Sequence, residues 1–377
     1  MLLAAALLSL VHLGSTELVH VQTIFRHGDR TPTKTFKTDP NQASAWPVGW
    51  GQLTTKGMEE LYQQGLKLKK RYVDELKFLN ATYKANETYF RSTDYDRTLA
   101  SAQSMLLGLY SDSEGTYPQN PTWPKRVSPI PVHTVAKNLD HLLNVYRTCP
   151  RKQELDIQRQ SVGEFVDYLK SQQEYFDYLT NKSESSIKTL SDLHHFLDTV
   201  YVEQDNSMTV APWITVDLIQ KGERIMQAID DYGFGMAGFG HPESVELLRL
   251  NGGVLLGDVI EKFSKAKNGA KQPSFVGYSA HDTTILTFLR TLGAKNTVTG
   301  GKRLIDYAVV LSLELWKEDG EFIVSLQYSA NVDVPFVDLT SAIEGCPSSG
   351  RCALERFIER NEKFAVKDPE KECRKLN

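Results

Sequence analysis

Leu18-Val19-His20-Val21-Gln22-Thr23-Ile24-Phe25, followed at once by Arg26-His27-Gly28-Asp29-Arg30-Thr31-Pro32, is the stretch from which the fold is read. Its first part is rich in β-branched and apolar side chains and reads as a strand. The second carries charge, Gly and Pro and reads as a loop, so His27 stands where a strand ends. In α/β sheets that is where ligands bind. The guanidiniums of Arg26 and Arg30 can grip a phosphate bidentately, leaving the imidazole between them to attack its phosphorus atom. An arginine–histidine pair by itself is more often a solvated turn, so the choice rests on the remainder of the chain.

A second strand end lies about 250 residues further on. Ser274 to Ser279 reads as a short buried strand, His281-Asp282 follows, and Thr283 to Leu292 reads as an apolar helix stopped by Gly293. Between the two lies Arg91-Ser92-Thr93-Asp94-Tyr95-Asp96-Arg97-Thr98. In this order the three segments resemble the histidine acid phosphatases, in their animal acid phosphatase branch, from about residue 18 to residue 373. The RHG triplet alone is shared with phosphoglycerate mutases; the ordered set is far more specific.

The resemblance implies a phosphate monoester substrate and His27 as the nucleophile, giving a phosphohistidine. Arg26, Arg30, Arg97 and His281 would hold the phosphoryl oxygens, and Asp282 would protonate the leaving oxygen. Attack needs a free lone pair on His27, so its other nitrogen should donate to a carbonyl such as that of Gly28. Asp282 alone would read as a helix cap; after His281, and with the RHGDR segment present, the catalytic reading prevails. Three arginines stand in for a cation, so neither metal nor cofactor is expected.

The chain has 377 residues, 41% hydrophobic and 24% charged, with a net charge of −4. That is ample for a core and gives no reason to expect nucleic acid or an anionic membrane surface as partner. Residues 1–16 resemble a secretory signal peptide too short to span a bilayer. The charged C-terminal end offers no tail anchor. The four cysteines, without zinc or redox spacing, agree with export and two disulfides. Four cysteines allow three pairings, and the family resemblance selects Cys149–Cys373 and Cys346–Cys352. Asn80, Asn86 and Asn181 head glycosylation sequons. The expected location is extracellular or the lysosomal lumen, and the resemblance leaves a homodimer open.

Thr54 to Tyr72 and Thr98 to Tyr110 read as helices, and Tyr89 to Ser92 as a strand delivering Arg97. Residues 111–131, with five prolines, read as irregular. From about 138 to 250 helical patterns dominate: Val162–Tyr178, Ser191–Val202, Val216–Tyr232 and Ser244–Arg249. Strand-like runs return at Phe275–Ser279, Ala308–Trp316 and Phe322–Tyr328. The expected fold class is therefore α/β, a mixed, mainly parallel, doubly wound sheet of phosphoglycerate mutase type with an inserted all-helical cap. Residues 17–137 and 251–377 would share the catalytic domain and 138–250 form the cap, with a substrate cleft between them.

Other candidates receive structural readings. Asp29 reads as a turn or salt-bridge residue and His20 as packed in its strand. His133 and His141 are isolated, and His194-His195 are adjacent rather than at ligand spacing. Trp46 and Trp50 could line a leaving-group pocket or simply pack. The rival enzymes are a phytase-type or a nucleotide-specific phosphatase; a phytase would want more positive charge than Lys34 and Lys37 add. An inactive glycosylated binding protein would typically have lost His27 or Asp282.

Overall fold

The computed structural model describes residues 16–375. Its strands are β1 (Thr16–Arg26), β2 (Thr88–Thr93), β3 (Val132–Val135), β4 (Phe275–Ala280), β5 (Val310–Glu318), β6 (Glu321–Ser329), β7 (Val337–Asp338) and β8 (Cys352–Ala353). They form one eight-stranded sheet in the order β3-β2-β4-β1-β5-β6-β7, with β8 also on β6. Strand β1 is the seam. It pairs parallel with β4 and antiparallel with β5, so the sheet has a parallel half and an antiparallel half. The expected leader lies outside the described residues except for Thr16, which opens β1 opposite Glu318.

Strand β1 reads as a continuous apolar run because both of its faces are covered. Ile24 joins a core with helices on one side of the sheet, while Val21 and Phe25 join a second core on the other. The second core is closed by α1 (Thr55–Leu68) and α2 (Asp96–Leu109). Thr54 caps α1 by accepting the Gly57 N–H.

Between β3 and β4 come α3 (Pro150–Gln160), α4 (Gly163–Ser171), α5 (Gln173–Ser183), α6 (Leu190–Asp205), α7 (Val216–Gly233), α8 (Val245–Leu248) and α9 (Val254–Lys267). Helices α4 to α7 enclose a core of their own, around Phe165, Phe176, Leu197 and Ile225. The chain then adds α10 (Asp282–Thr291), α11 (Lys295–Thr299), α12 (Leu354–Asn361) and α13 (Pro369–Glu372).

Two helical expectations change in detail. The helix expected over Val162–Tyr178 is α4 and α5, broken at Gln172 (ψ 3°), with Phe165 on one side of the break and Tyr175 and Phe176 on the other all reaching one core. Helix α8 runs through a π-turn, Arg249–Gly253, directly into α9, so residue 250 falls within a continuous helical run. The glycines that obscure α9 in the sequence are there for close approach. A Cβ on Gly253 would lie 2.1 Å from the Phe364 carbonyl oxygen, and one on Gly257 2.2 Å from that of Val366. Cys149 is bonded to Cys373 and Cys346 to Cys352.

The loop after His27 is docked on the helical insertion. Phe36 packs on Phe196 at 5.4 Å and Trp213 at 5.9 Å, and the Thr199 hydroxyl donates to the Lys34 carbonyl at 2.7 Å. Glu203, on α6, is fully buried, with no hydrogen-bond donor to either carboxyl oxygen among the described residues, and the polar groups beside it are the Asp39 carboxyl and Asn41. Burial and then Asp39 push the Glu203 carboxyl from its usual 4.5 up to about 8. A folded pKa raised above the unfolded one stabilises fully below the unfolded value and loses that stability as pH climbs through the folded one. The melting temperature should therefore fall between about pH 4.5 and about pH 8. Glu203→Gln, which needs no proton, should flatten that decline. Calorimetry of both proteins at pH 5 and pH 8 checks it; equal declines would place the titrating group elsewhere.

Candidate active site

Strand register assembles the site. Arg26 is paired with Ala280 across β1 and β4, and Ser92 with Ser279 across β2 and β4. The carboxyl ends of three adjacent parallel strands therefore deliver Arg26-His27, Thr93 and His281-Asp282 side by side. The His27 N–H donates to the Ala280 carbonyl at 3.1 Å, and the His27 and His281 rings lie 5.6 Å apart. Arg97 arrives on the first turn of α2. All six residues marked by the sequence, Arg26, His27, Arg30, Arg97, His281 and Asp282, line one cleft of about 200 Å³.

His27 is buried, and its Nδ1 lies 2.9 Å from the Gly28 carbonyl oxygen. A carbonyl only accepts, so that contact assigns the proton to Nδ1 and leaves the Nε2 lone pair free. Burial, then the charges of Arg97, Arg26 and Arg30, hold the ring pKa well below its usual value. The imidazole is neutral and a competent nucleophile. Its loop lies hard against α1: a Cβ on Gly28 would sit 2.3 Å from the Gly57 carbonyl oxygen.

Among the described residues Asp29 forms no salt bridge. It is fully buried, accepting from the Thr54 hydroxyl at 2.6 Å and the Asn206 amide at 3.0 Å, while its own N–H donates to Glu60 at 2.7 Å. It ties the loop to α1 and α6 through hydrogen bonds.

The three arginines differ in their partners. Arg26 donates to the Ile305 carbonyl at 2.6 Å, pairs with Asp282 at 3.1 Å and stacks over Tyr307 at 4.1 Å. Arg30 forks onto both oxygens of Asp198, at 3.0 and 2.7 Å. Arg97 lies over Tyr95 at 4.7 Å and has no carboxylate partner among the described residues. Burial, then Arg30, lowers its pKa to about 10, so it remains cationic in neutral or acidic solution. All three Nε–H groups are buried without an acceptor.

His281 Nε2 lies 2.9 Å from the Thr93 hydroxyl, and burial, then Arg97, holds its pKa near 3. Asp282 begins α10 and its Oδ1 accepts the Thr283 N–H at 2.6 Å. Burial raises its pKa, but Arg26, His281 and that N–H together outweigh burial and set it at about 2.

The sequence reading missed the groups that α6 and two loops bring to the same cleft. These are His194, His195, Asp198, Tyr146 and Arg303. His195 Nδ1 lies 3.0 Å from the Thr33 hydroxyl, and Arg303 is held by Glu223 and Asp230. The adjacent pair His194-His195 is the available signal, but its spacing argues only against a metal site and leaves cleft lining open. Among the described residues no three His, Cys, Asp or Glu side chains cluster as a metal site.

The remaining candidates are placed as follows. His20 is buried edge-on to Phe263, His133 stacks on Tyr89, and His141 contacts Arg147. Trp46 is buried, whereas Trp50 lines a small polar pocket with Arg97 and Lys137. Asn80, Asn86 and Asn181 are exposed. Lys34 and Lys37 are paired with Asp192 and Glu184.

A neutral imidazole and three guanidiniums in one cleft, at the strand ends of an α/β sheet, form a site able to receive a tetrahedral oxyanion. Solved structures share the fold. The phytase of Citrobacter braakii superposes with a TM-score of 0.65 at 18% identity, covering 95% of this chain and 99% of the phytase. The Hafnia alvei phytase with tartrate superposes at 0.66 and 16% identity, over 96% and 99%. Sequence relatives are closer. Rat (Rattus norvegicus) lysosomal acid phosphatase is 33% identical over 99% of this chain and 84% of the relative. Mouse (Mus musculus) prostatic acid phosphatase is 36% identical over 95% and 89%. Residues 17–329 match the histidine phosphatase superfamily (branch 2), and the chain belongs to that family.

Proposed function

We propose that this protein is an acid phosphatase that hydrolyses phosphate monoesters through a phosphohistidine on His27. The observation that carries the reading is an uncharged, buried His27 with Arg26, Arg30 and Arg97 lining the same cleft at the carboxyl ends of parallel strands. Guanidiniums gathered there match the charge and geometry of a phosphoryl group. The names of the lysosomal and prostatic relatives support the same activity.

In this reading His27 Nε2 attacks phosphorus while the proton stays on Nδ1, which donates it to the Gly28 carbonyl. The N–P bond forms as the P–O ester bond breaks. The guanidiniums and His281 stabilise the charge spread over the transferred oxygens. Asp282 gives its proton to the departing alkoxide, then takes one from the water that releases inorganic phosphate. Hydrolysis of p-nitrophenyl phosphate at mildly acidic pH tests the activity. Inactivity there would overturn it.

The arginines supply the positive charge, so exhaustive chelation should leave the rate intact. A loss restored by zinc or magnesium would show that the arginines do not suffice. Lys34 and Lys37, already paired with acids, add little cationic surface for a highly phosphorylated substrate. A signal peptide over residues 1–16, glycans on at least one of the exposed Asn80, Asn86 and Asn181, and delivery outside the cell or to the lysosomal lumen complete the proposal. Among the described residues no helix is long and apolar enough to cross a membrane.

A further inference from the structure

Arg26 is aimed by a segment that has no ladder of its own. Residues 303–307, between α11 and β5, make no backbone–backbone hydrogen bond among the described residues. They border a cavity of about 630 Å³, so packed protein does not back them on that side. Yet the Ile305 carbonyl accepts from the Arg26 guanidinium at 2.6 Å, and the Tyr307 ring underlies that guanidinium at 4.1 Å. The direction of Arg26 is only as well defined as the segment beneath it.

Two anchors hold the segment. At its far end the Ala308 N–H donates to the His27 carbonyl at 3.1 Å. At its near end stands Arg303, only 6% exposed, with every guanidinium nitrogen engaged. Nε and Nη2 fork onto Glu223 at 2.8 and 2.7 Å, and Nη1 meets Asp230 at 3.2 Å. Both acids belong to α7, in the helical insertion. Helix α7 has its own hold on the body, because Asp231 pairs with Arg290 of α10 and Lys295 of α11. Loss of Arg303 would therefore free the segment and leave the insertion docked.

Arg303 also lines the cleft, so direct service as a fourth phosphate ligand is the rival role. Its partners argue against that. A phosphate-binding arginine needs free N–H groups, and two carboxylates already take donors from all three nitrogens and outnumber its charge. We propose that Arg303 is a positioning residue for the phosphate site, stapling the Ile305–Tyr307 segment to α7 so that Arg26 stays aimed at the phosphoryl group. The inference rests on the phosphatase reading and makes the helical insertion part of the phosphate grip.

The test uses Arg303→Met, Arg303→Lys and Glu223→Leu, with p-nitrophenyl phosphate as substrate and inorganic phosphate as competitive inhibitor. Arg303→Met should raise KM and the phosphate Ki together, by about 10–100-fold, the size of one misdirected charged hydrogen bond. Arg303→Lys, which keeps an ion pair to α7, should recover part of that loss. Glu223→Leu separates the two roles. It removes a negative charge and frees the Arg303 fork, so a direct ligand would then bind phosphate more tightly. A broken staple binds it more weakly, and the Ki should rise several-fold. An unchanged or lowered Ki in Glu223→Leu, or an Arg303→Met variant that loses kcat with KM and Ki intact, would overturn the assignment. Should Arg303→Met not fold, the other two variants decide. Failure of the wild type on p-nitrophenyl phosphate would instead strike at the phosphatase reading, and calorimetric phosphate affinities of the same variants would still test the staple.

Discussion

His27→Ala should lower kcat for every phosphate monoester by about 10⁴–10⁶-fold, the range expected when a covalent nucleophile is removed. No phosphoenzyme should be trapped on rapid quenching. Binding, by contrast, should survive, because Arg26 and Arg30 keep their own anchors, Ile305 and Asp282 for one and Asp198 for the other. Inorganic phosphate should still raise the melting temperature of the variant, as any ligand of the native state does. The two readouts together separate a lost nucleophile from a lost site. Residual turnover within about tenfold of wild type would remove His27 from the role of nucleophile. Loss of both turnover and phosphate stabilisation would mean that the imidazole chiefly holds the loop against α1.

Asp282→Asn should split substrates by their leaving group. The amide keeps the shape and can still accept the Thr283 N–H, but it has no proton to give. Alkyl phosphates, whose alkoxide needs protonation, should lose about 10²–10⁴-fold in kcat, whereas p-nitrophenyl phosphate, whose phenolate leaves unaided, should lose far less. Equal losses on both ester classes would make Asp282 a structural residue of α10.

The pH dependence of this step differs from what the sequence suggests. A general acid is expected to carry its proton before substrate arrives, yet Asp282 sits at about 2, because Arg26, His281 and the Thr283 N–H outweigh burial. It is ionised at any mildly acidic pH. A bound phosphoryl group claims Arg26, and burial, which favours the neutral acid, is then less opposed. The proton can arrive on the ester itself, whose second ionisation lies near about pH 6. Alkyl ester kcat/KM should therefore decline above about pH 6 in the wild type, and that limb should be much weaker in Asp282→Asn. A wild-type rate flat from pH 5 to pH 8 would contradict this proton route.

The six residues that line the cleft were legible because each piece is local. Each piece is a short segment at a strand end or first helical turn, where apolar periodicity marks the element and charge marks its end. That holds for Arg26-His27 after β1, Arg97 at the start of α2 and His281-Asp282 before α10. Family resemblance then assigned the roles. What surrounds these six was not legible, and for a consistent reason. Asp198 forks onto Arg30 from 168 residues away, Asn206 reaches Asp29 from 177, and Thr93 meets His281 across 188. No sequence period spans such separations.

The amino-acid sequence by itself determined the sheet's central strands, the helical character of the insertion and the six residues that meet in one cleft. Only the tertiary structure decided the electrical state of the buried groups: a neutral His27, an ionised Asp282 and a Glu203 that holds its proton beside Asp39. Charge states inside a protein are set by how much water is excluded and by which opposite or like charges fold in beside each group. Both quantities come into being when distant segments pack.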